Sequence, residues 1–144
     1  MTTPSPTLIL YPLFAMFALV AAVLMRLRSL RFAAVRRREI SLGFFRTYRG
    51  DDEPEALRVT ARHFANLFEV PVLFHVVVLM IYVTGQVGYW LIGCAWLYVA
   101  LRYAHSIVHL TSNDVIIRFT LYAASGVVLA VMWATLLVQL LRTG

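Results

Sequence analysis

Three groups of polar side chains recur inside segments that are otherwise apolar, and each group is spaced to share one face of a helix. The groups are Arg62, Asn66 and Glu69; Arg102, His105 and His109; and Arg118, Tyr122 and Ser125. A charge at membrane depth costs roughly 2.5–3.5 kcal/mol, so it persists only where it is paired, hydrated or turned inward. The three groups therefore predict one polar site inside a helical bundle.

The chemistry of these side chains favours a small, zwitterionic ligand with a net negative charge. The arginines offer planar, permanently charged donors that grip carboxylates in a bidentate way. Asn66 and Glu69 suit an ammonium or amide group, and Tyr122 or His105 can donate a hydrogen bond to a carbonyl or a thiolate. An arginine beside a thiol favours the thiolate, which is the nucleophilic form.

The elements that must position these groups are membrane-spanning helices. The chain has 144 residues and is 61% hydrophobic, whereas soluble domains are about 45–50% apolar. A spanning helix needs about 20 mostly apolar residues, and the sequence supplies four such segments. We predict an all-α integral membrane four-helix bundle formed by a single domain, 1–144, with helices at about 8–38, 53–84, 88–111 and 113–142.

The charge distribution predicts the orientation of the helices in the membrane. The chain carries 13 Arg and Lys residues in total, and all of them are Arg. Eight lie between residues 26 and 49, and loops of this kind stay on the cytoplasmic side. Both termini then lie on the non-cytoplasmic side. Because the basic run adjoins a membrane helix, we expect it to contact membrane lipids and exclude nucleic acid as its partner.

The cysteine and histidine content argues against a metal site. The single Cys94 excludes an intrachain disulfide and a Cys-rich metal site. His105 and His109 have the spacing of two metal ligands on a helix, but a site normally needs a third ligand. We expect His63 and His75 to serve packing, so we predict no metal. A metal-binding protein that uses His105 and His109 stays as an alternative.

The spacing of the polar residues matches a known set of motifs: an Arg four residues before an Asn with a Glu three after it, an Arg-x-x-His, and an Arg-x-x-x-Tyr. The matching residues are Arg62, Asn66 and Glu69; Arg102 and His105; and Arg118 and Tyr122. With these motifs the chain resembles the MAPEG family, the membrane-associated proteins in eicosanoid and glutathione metabolism. The resemblance covers nearly the whole chain and suggests a bacterial-type member.

The resemblance implies a homotrimer of four-helix subunits in the bacterial inner membrane, with glutathione held between subunits near the cytoplasmic side. It implies transferase or peroxidase chemistry on a lipophilic small-molecule substrate that enters from the bilayer. Arg118 would stabilise the glutathione thiolate, with help from Tyr122. The glutathione-binding residues implied by the resemblance are Arg26, Arg62, Asn66, Glu69, Arg102, His105 and His109.

At four positions the chain differs from the motifs of the prostaglandin E synthases within this family. These differences keep a second interpretation open. The residues that differ are Phe64, Ala65, His109 and Phe119. These changes reduce the expected contacts to glutathione, so catalytic activity itself stays open. The alternative is a non-catalytic scaffold or an accessory subunit of a larger membrane complex. In that case Arg102 and Glu69 could form a buried ion pair that only fixes helix packing.

Overall fold

A computed structural model describes residues 4–48 and 53–143 of the chain. A 3₁₀ turn at Pro6–Leu10 leads directly into the first α-helix. The α-helices are α1 (Tyr11–Arg36), α2 (Phe44–Thr47), α3 (Glu55–Asn66), α4 (Val70–Val83), α5 (Tyr89–Leu110) and α6 (Val115–Thr143). The described residues contain no strand, which confirms the all-α prediction.

Four helical segments of the described chain are long and apolar enough to cross a membrane. They are Pro6–Arg36, Glu55–Val83, Tyr89–Leu110 and Val115–Arg142. Their lengths run from 22 to 31 residues, against the roughly 20 that the hydrocarbon core requires. The chain is therefore an integral membrane protein with the four spans that the sequence predicted.

One apolar core joins the spans to one another. Within it, Phe74 of α4 and Tyr98 of α5 stack with ring centroids 4.3 Å apart. Both side chains are fully buried. The Tyr103 hydroxyl of α5 donates to the backbone carbonyl of Ala15 in α1 at 2.8 Å. These contacts hold α5 at the centre of the bundle, where it carries one of the three polar groups.

The second span differs from the single helix predicted over 53–84. The α-helix ends at Asn66 and resumes at Val70, and Glu69 lies outside both helices with φ −91° and ψ −106°. Pro71 explains the break, because it has no N–H to donate to the carbonyl of Leu67. The turn is closed instead by shorter i to i−3 bonds, such as the one from the Phe68 N–H to the Ala65 carbonyl at 2.9 Å.

The connection between α5 and α6 is closed by two polar residues. Asn113 has a φ of 51°, a left-handed conformation that Asn tolerates better than most residues. Its N–H donates to the Val108 carbonyl at 2.7 Å and ends α5. Asp114 then caps α6, since one of its carboxylate oxygens accepts the N–H groups of Ile116 and Ile117 at 2.9 Å each. The carboxylate cap agrees with the helix dipole.

Replacing Asp114 with Ala is expected to lower the free energy of unfolding by about 0.5–2 kcal/mol, because two N–H groups of α6 lose their acceptor. Asp114→Asn keeps an oxygen acceptor and is expected to lose less. Thermal unfolding of the detergent-purified variants measures the difference. Equal stability of Asp114→Ala and the wild type would contradict the assignment of this cap.

Candidate functional site

Polar side chains from α3, α5 and α6 meet at one pocket of about 240 Å³. The residues that line it are Asn66, His105, His109, Val115, Arg118, Phe119 and Tyr122. The pocket lies where α3 ends and α6 begins, next to the last turns of α5. The structure thus brings together members of all three polar groups. Ser125 lies apart from the pocket lining and donates to the Tyr122 carbonyl within its own helix.

Arg102 is a charged group enclosed by the bundle next to this pocket. Its side chain is 0% exposed, and Nη2 donates to the Asn66 Oδ1 at 2.8 Å. The centre of its guanidinium lies 5.4 Å from the ring centroid of Tyr122. Its Nε and Nη1 have no hydrogen-bond partner among the described residues. Buried donors are nearly always satisfied, so these two nitrogens are suited to acceptor atoms of a ligand.

Asn66 connects Arg102 to Glu69. The Asn66 amide accepts from Arg102 on one side and donates from Nδ2 to the Glu69 Oε2 at 3.4 Å on the other. The alternative of a buried ion pair in which Arg102 contacts Glu69 directly is therefore wrong. The hydrogen-bond partner of Arg102 is the neutral Asn66, while Glu69 lies in the exposed turn before α4. The carboxylate is left accessible to a ligand ammonium group.

Arg118 is held at the start of α6 by the residues of the preceding turn. Its Nη1 donates to the Asn113 Oδ1, and its backbone carbonyl accepts from His105 Nδ1 at 3.0 Å. The rings of His105 and Tyr122 lie 5.9 Å apart. Arg118 and Tyr122 both line the pocket, so an anion bound there would be near a positive charge and a hydroxyl that can donate a hydrogen bond.

Two of the predicted ligand-binding residues lie elsewhere in the single chain. Arg26 and Arg62 are both exposed, and neither lines the pocket. Arg26 belongs to α1, whereas Arg62 lies on the side of α3 that faces away from the buried core. Within one chain, the pocket therefore contains Asn66 and predicted residues of α5 and α6, but neither Arg26 nor Arg62.

His63 is a member of this region that the sequence interpretation missed. It is fully buried, and its ring centroid lies 4.7 Å from that of His109 and 5.6 Å from that of His105. One nitrogen of each of the three rings lies within 4.8 Å of the others. The sequence could have indicated this role, because His63 lies three residues before Asn66 and the two side chains therefore share one helical face.

An apolar groove of about 750 Å³ lies between α1, the turn that joins α3 to α4, and α4. Its lining residues are Leu10, Leu13, Phe14, Phe17, Val20, Leu67, Phe68, Val72, His75 and Leu79. Apart from His75, which donates from Nδ1 to the Pro71 carbonyl at 2.7 Å, the lining is hydrocarbon. The groove offers space for an aliphatic or aromatic molecule at membrane depth.

Comparison with known proteins agrees with the motif spacing. The family model described as the MAPEG family matches residues 11–138, a range that includes all four spans in large part and every residue of the pocket. Searches of curated proteins and of solved structures gave no match. The family match covers most of the chain and includes α3, α5 and α6 with their polar residues. The chain therefore belongs to the MAPEG family.

Proposed function

We propose that this protein is a membrane-bound, glutathione-dependent transferase or peroxidase that acts on lipophilic electrophiles. The observation that carries the proposal is the pocket in which Arg118 and Tyr122 lie beside Asn66, with the unsatisfied donors of buried Arg102 next to it. Family membership supports the general class of activity. The proposed ligand is glutathione, whose two carboxylates, ammonium group and thiol fit this mixture of donors and acceptors.

The exposed members of the predicted site favour assembly into a homotrimer with glutathione at the subunit interfaces. Arg62 and Glu69 lie exposed on α3 and in the turn after it, and Arg26 is exposed on α1. A neighbouring subunit placed against these faces would complete the binding site around the carboxylates and the ammonium of the ligand. With the basic loop in the cytoplasm, the pocket lies near the cytoplasmic side of the bacterial inner membrane, and both termini lie on the opposite side.

The proposed chemistry follows from the groups in the pocket. Arg118 stabilises the thiolate by its charge, and the Tyr122 hydroxyl donates a hydrogen bond to the sulfur. The thiolate then attacks an electrophilic carbon, a carbon–sulfur bond forms, and the leaving group departs with its electron pair. The apolar groove supports a lipophilic electrophile, because a substrate partitioned in the bilayer reaches it without crossing water.

Thermal unfolding with and without millimolar glutathione tests the proposal in detergent-purified protein. A ligand that binds only the folded state adds about 2.7 kcal/mol of stability at 100 times its dissociation constant. We expect a clear upward shift for the wild type and none for Arg118→Ala, with the trimer intact in both. Arg142→Ala is the matched control, because Arg142 is exposed at the far end of the same helix and should leave the shift unchanged.

The competing proposal is a non-catalytic member that acts as a scaffold or as an accessory subunit of a larger membrane complex. Phe64 and Ala65 favour it, since both stand where polar contacts to glutathione are expected from the resemblance. Absence of any thermal shift at saturating thiol, together with co-purification in a larger complex, would replace the leading proposal with this one. A shift without turnover of any electrophile would also favour a binding role over catalysis.

A further inference from the structure

Three buried histidines form a compact cluster at the inner side of the pocket. His63 comes from α3, and His105 and His109 come from successive turns of α5. Their ring centroids lie between 4.7 and 5.6 Å apart, and one nitrogen of each lies within 4.8 Å of the other two. Each ring also has one buried nitrogen without a hydrogen-bond partner among the described residues: His63 Nδ1, His105 Nε2 and His109 Nδ1.

The tautomer of His63 follows from its neighbour Ser106. The Ser106 hydroxyl donates its only hydrogen to the Arg102 carbonyl at 2.8 Å. Its oxygen therefore accepts from His63 Nε2 across the 2.8 Å contact between them. A neutral imidazole that carries its hydrogen on Nε2 presents a free lone pair on Nδ1. That lone pair lies at the unpartnered nitrogen of His63.

The tautomer of His105 follows by the same reasoning. Its Nδ1 lies 3.0 Å from the Arg118 backbone carbonyl, and a carbonyl oxygen only accepts. His105 Nδ1 must carry the hydrogen, which leaves the lone pair on the buried and unpartnered Nε2. Metal-bound histidines have this arrangement, in which the second nitrogen donates to a carbonyl or another acceptor and fixes the ring.

We propose that His63, His105 and His109 bind a divalent transition-metal ion, with zinc the expected ion. Three neutral imidazoles suit zinc, and three protein ligands leave a fourth position open. Zn–N bonds of about 2.0–2.1 Å in tetrahedral geometry place the nitrogens about 3.4 Å apart. One nitrogen of each ring already lies within 4.8 Å of the other two, so a small approach of the rings would bring them to binding distance. This site does not rest on the proposed thiol chemistry.

The positive charges around the histidine cluster favour an anion as the fourth ligand of the metal. Arg102 and Arg118 lie close by and repel a cation, and an anion bound to the metal offsets this repulsion. His105 and His109 also line the pocket, so the open position is reachable from it. We therefore expect the fourth ligand to be an anion from the pocket, such as hydroxide or a thiolate, bound together with the metal.

Zinc and cobalt titrations of the chelator-stripped, full-length protein in detergent test the site, with no thiol present. We expect one zinc per chain and, with cobalt, the intense visible bands of a four-coordinate ion. His63→Leu and His109→Phe are each expected to raise the zinc dissociation constant by more than 100-fold. His75→Leu is the matched control, because His75 lies in α4 and bonds to its own helix, and its affinity should equal that of the wild type.

Further variants separate a metal site from a merely structural cluster. Ser106→Ala removes the acceptor that orients His63 and is expected to weaken zinc binding by about 10–100-fold. Cooperative thermal unfolding of His63→Leu, measured without metal and without thiol, reports correct folding. The proposal is overturned if the folded wild type binds no zinc, if both His63→Leu and His109→Phe bind it normally, or if His75→Leu loses it equally.

Discussion

Replacing Arg102 with Met is expected to stabilise the unliganded protein and to abolish its response to glutathione. Arg102 is fully buried, yet two of its guanidinium nitrogens have no partner among the described residues. Exchanging a buried charged group for an apolar side chain of similar volume is often neutral or stabilising by about 1–4 kcal/mol. The same exchange removes the donors that the proposed ligand needs, so binding and apparent stability should change in opposite directions.

Thermal unfolding with and without glutathione measures both effects of Arg102→Met in one experiment. Arg58→Met is the matched control, since Arg58 is exposed on α3, and it should change neither quantity. Arg102→Lys keeps the charge but not the planar set of donors, so we expect it to retain only a weak response. If Arg102 served packing alone through its bond to Asn66, Arg102→Met would instead lower the stability of the unliganded protein.

Much of the fold was predictable because apolar length and helical spacing depend only on local sequence. The four spans and the common face of Arg102, His105 and His109 follow from these two signals. The break at the end of α3 was not predicted, because the apolar run continues through it. Pro71 was the one local sign of that break, and it acts on a carbonyl four residues earlier.

The candidate site was predictable in its residue types but less so in its partners. Arg62 and His63 lie four and three residues before Asn66, so they flank it around the helix axis. This spacing does not say which of the two faces the bundle. The structure buries His63, in keeping with the packing role expected from the sequence, and exposes Arg62, which the sequence placed at the polar site. The choice depends on how α3 is rotated against α5, which long-range packing determines.

The packing of α4 against α5 leads to the largest expected change in stability. Phe74→Ala is expected to lower the free energy of unfolding by about 3–5 kcal/mol, because it removes a fully buried ring and leaves a cavity. The lost ring stacks on Tyr98 at 4.3 Å, and Tyr98 lies one helical turn before Arg102. Loosening this contact should also weaken glutathione binding, since the pocket depends on α5 keeping its position against α3 and α4.

Tyr98→Phe is the matched control for Phe74→Ala. It keeps the ring stack and removes a buried hydroxyl that has no partner among the described residues. Deleting an unsatisfied polar group removes its desolvation cost, so Tyr98→Phe is expected to be as stable as the wild type or more stable. Denaturant unfolding in mixed micelles measures both variants. A large loss in Tyr98→Phe would show that the hydroxyl is bonded, and a loss below 1 kcal/mol in Phe74→Ala would show that this stack does not hold α4 against α5.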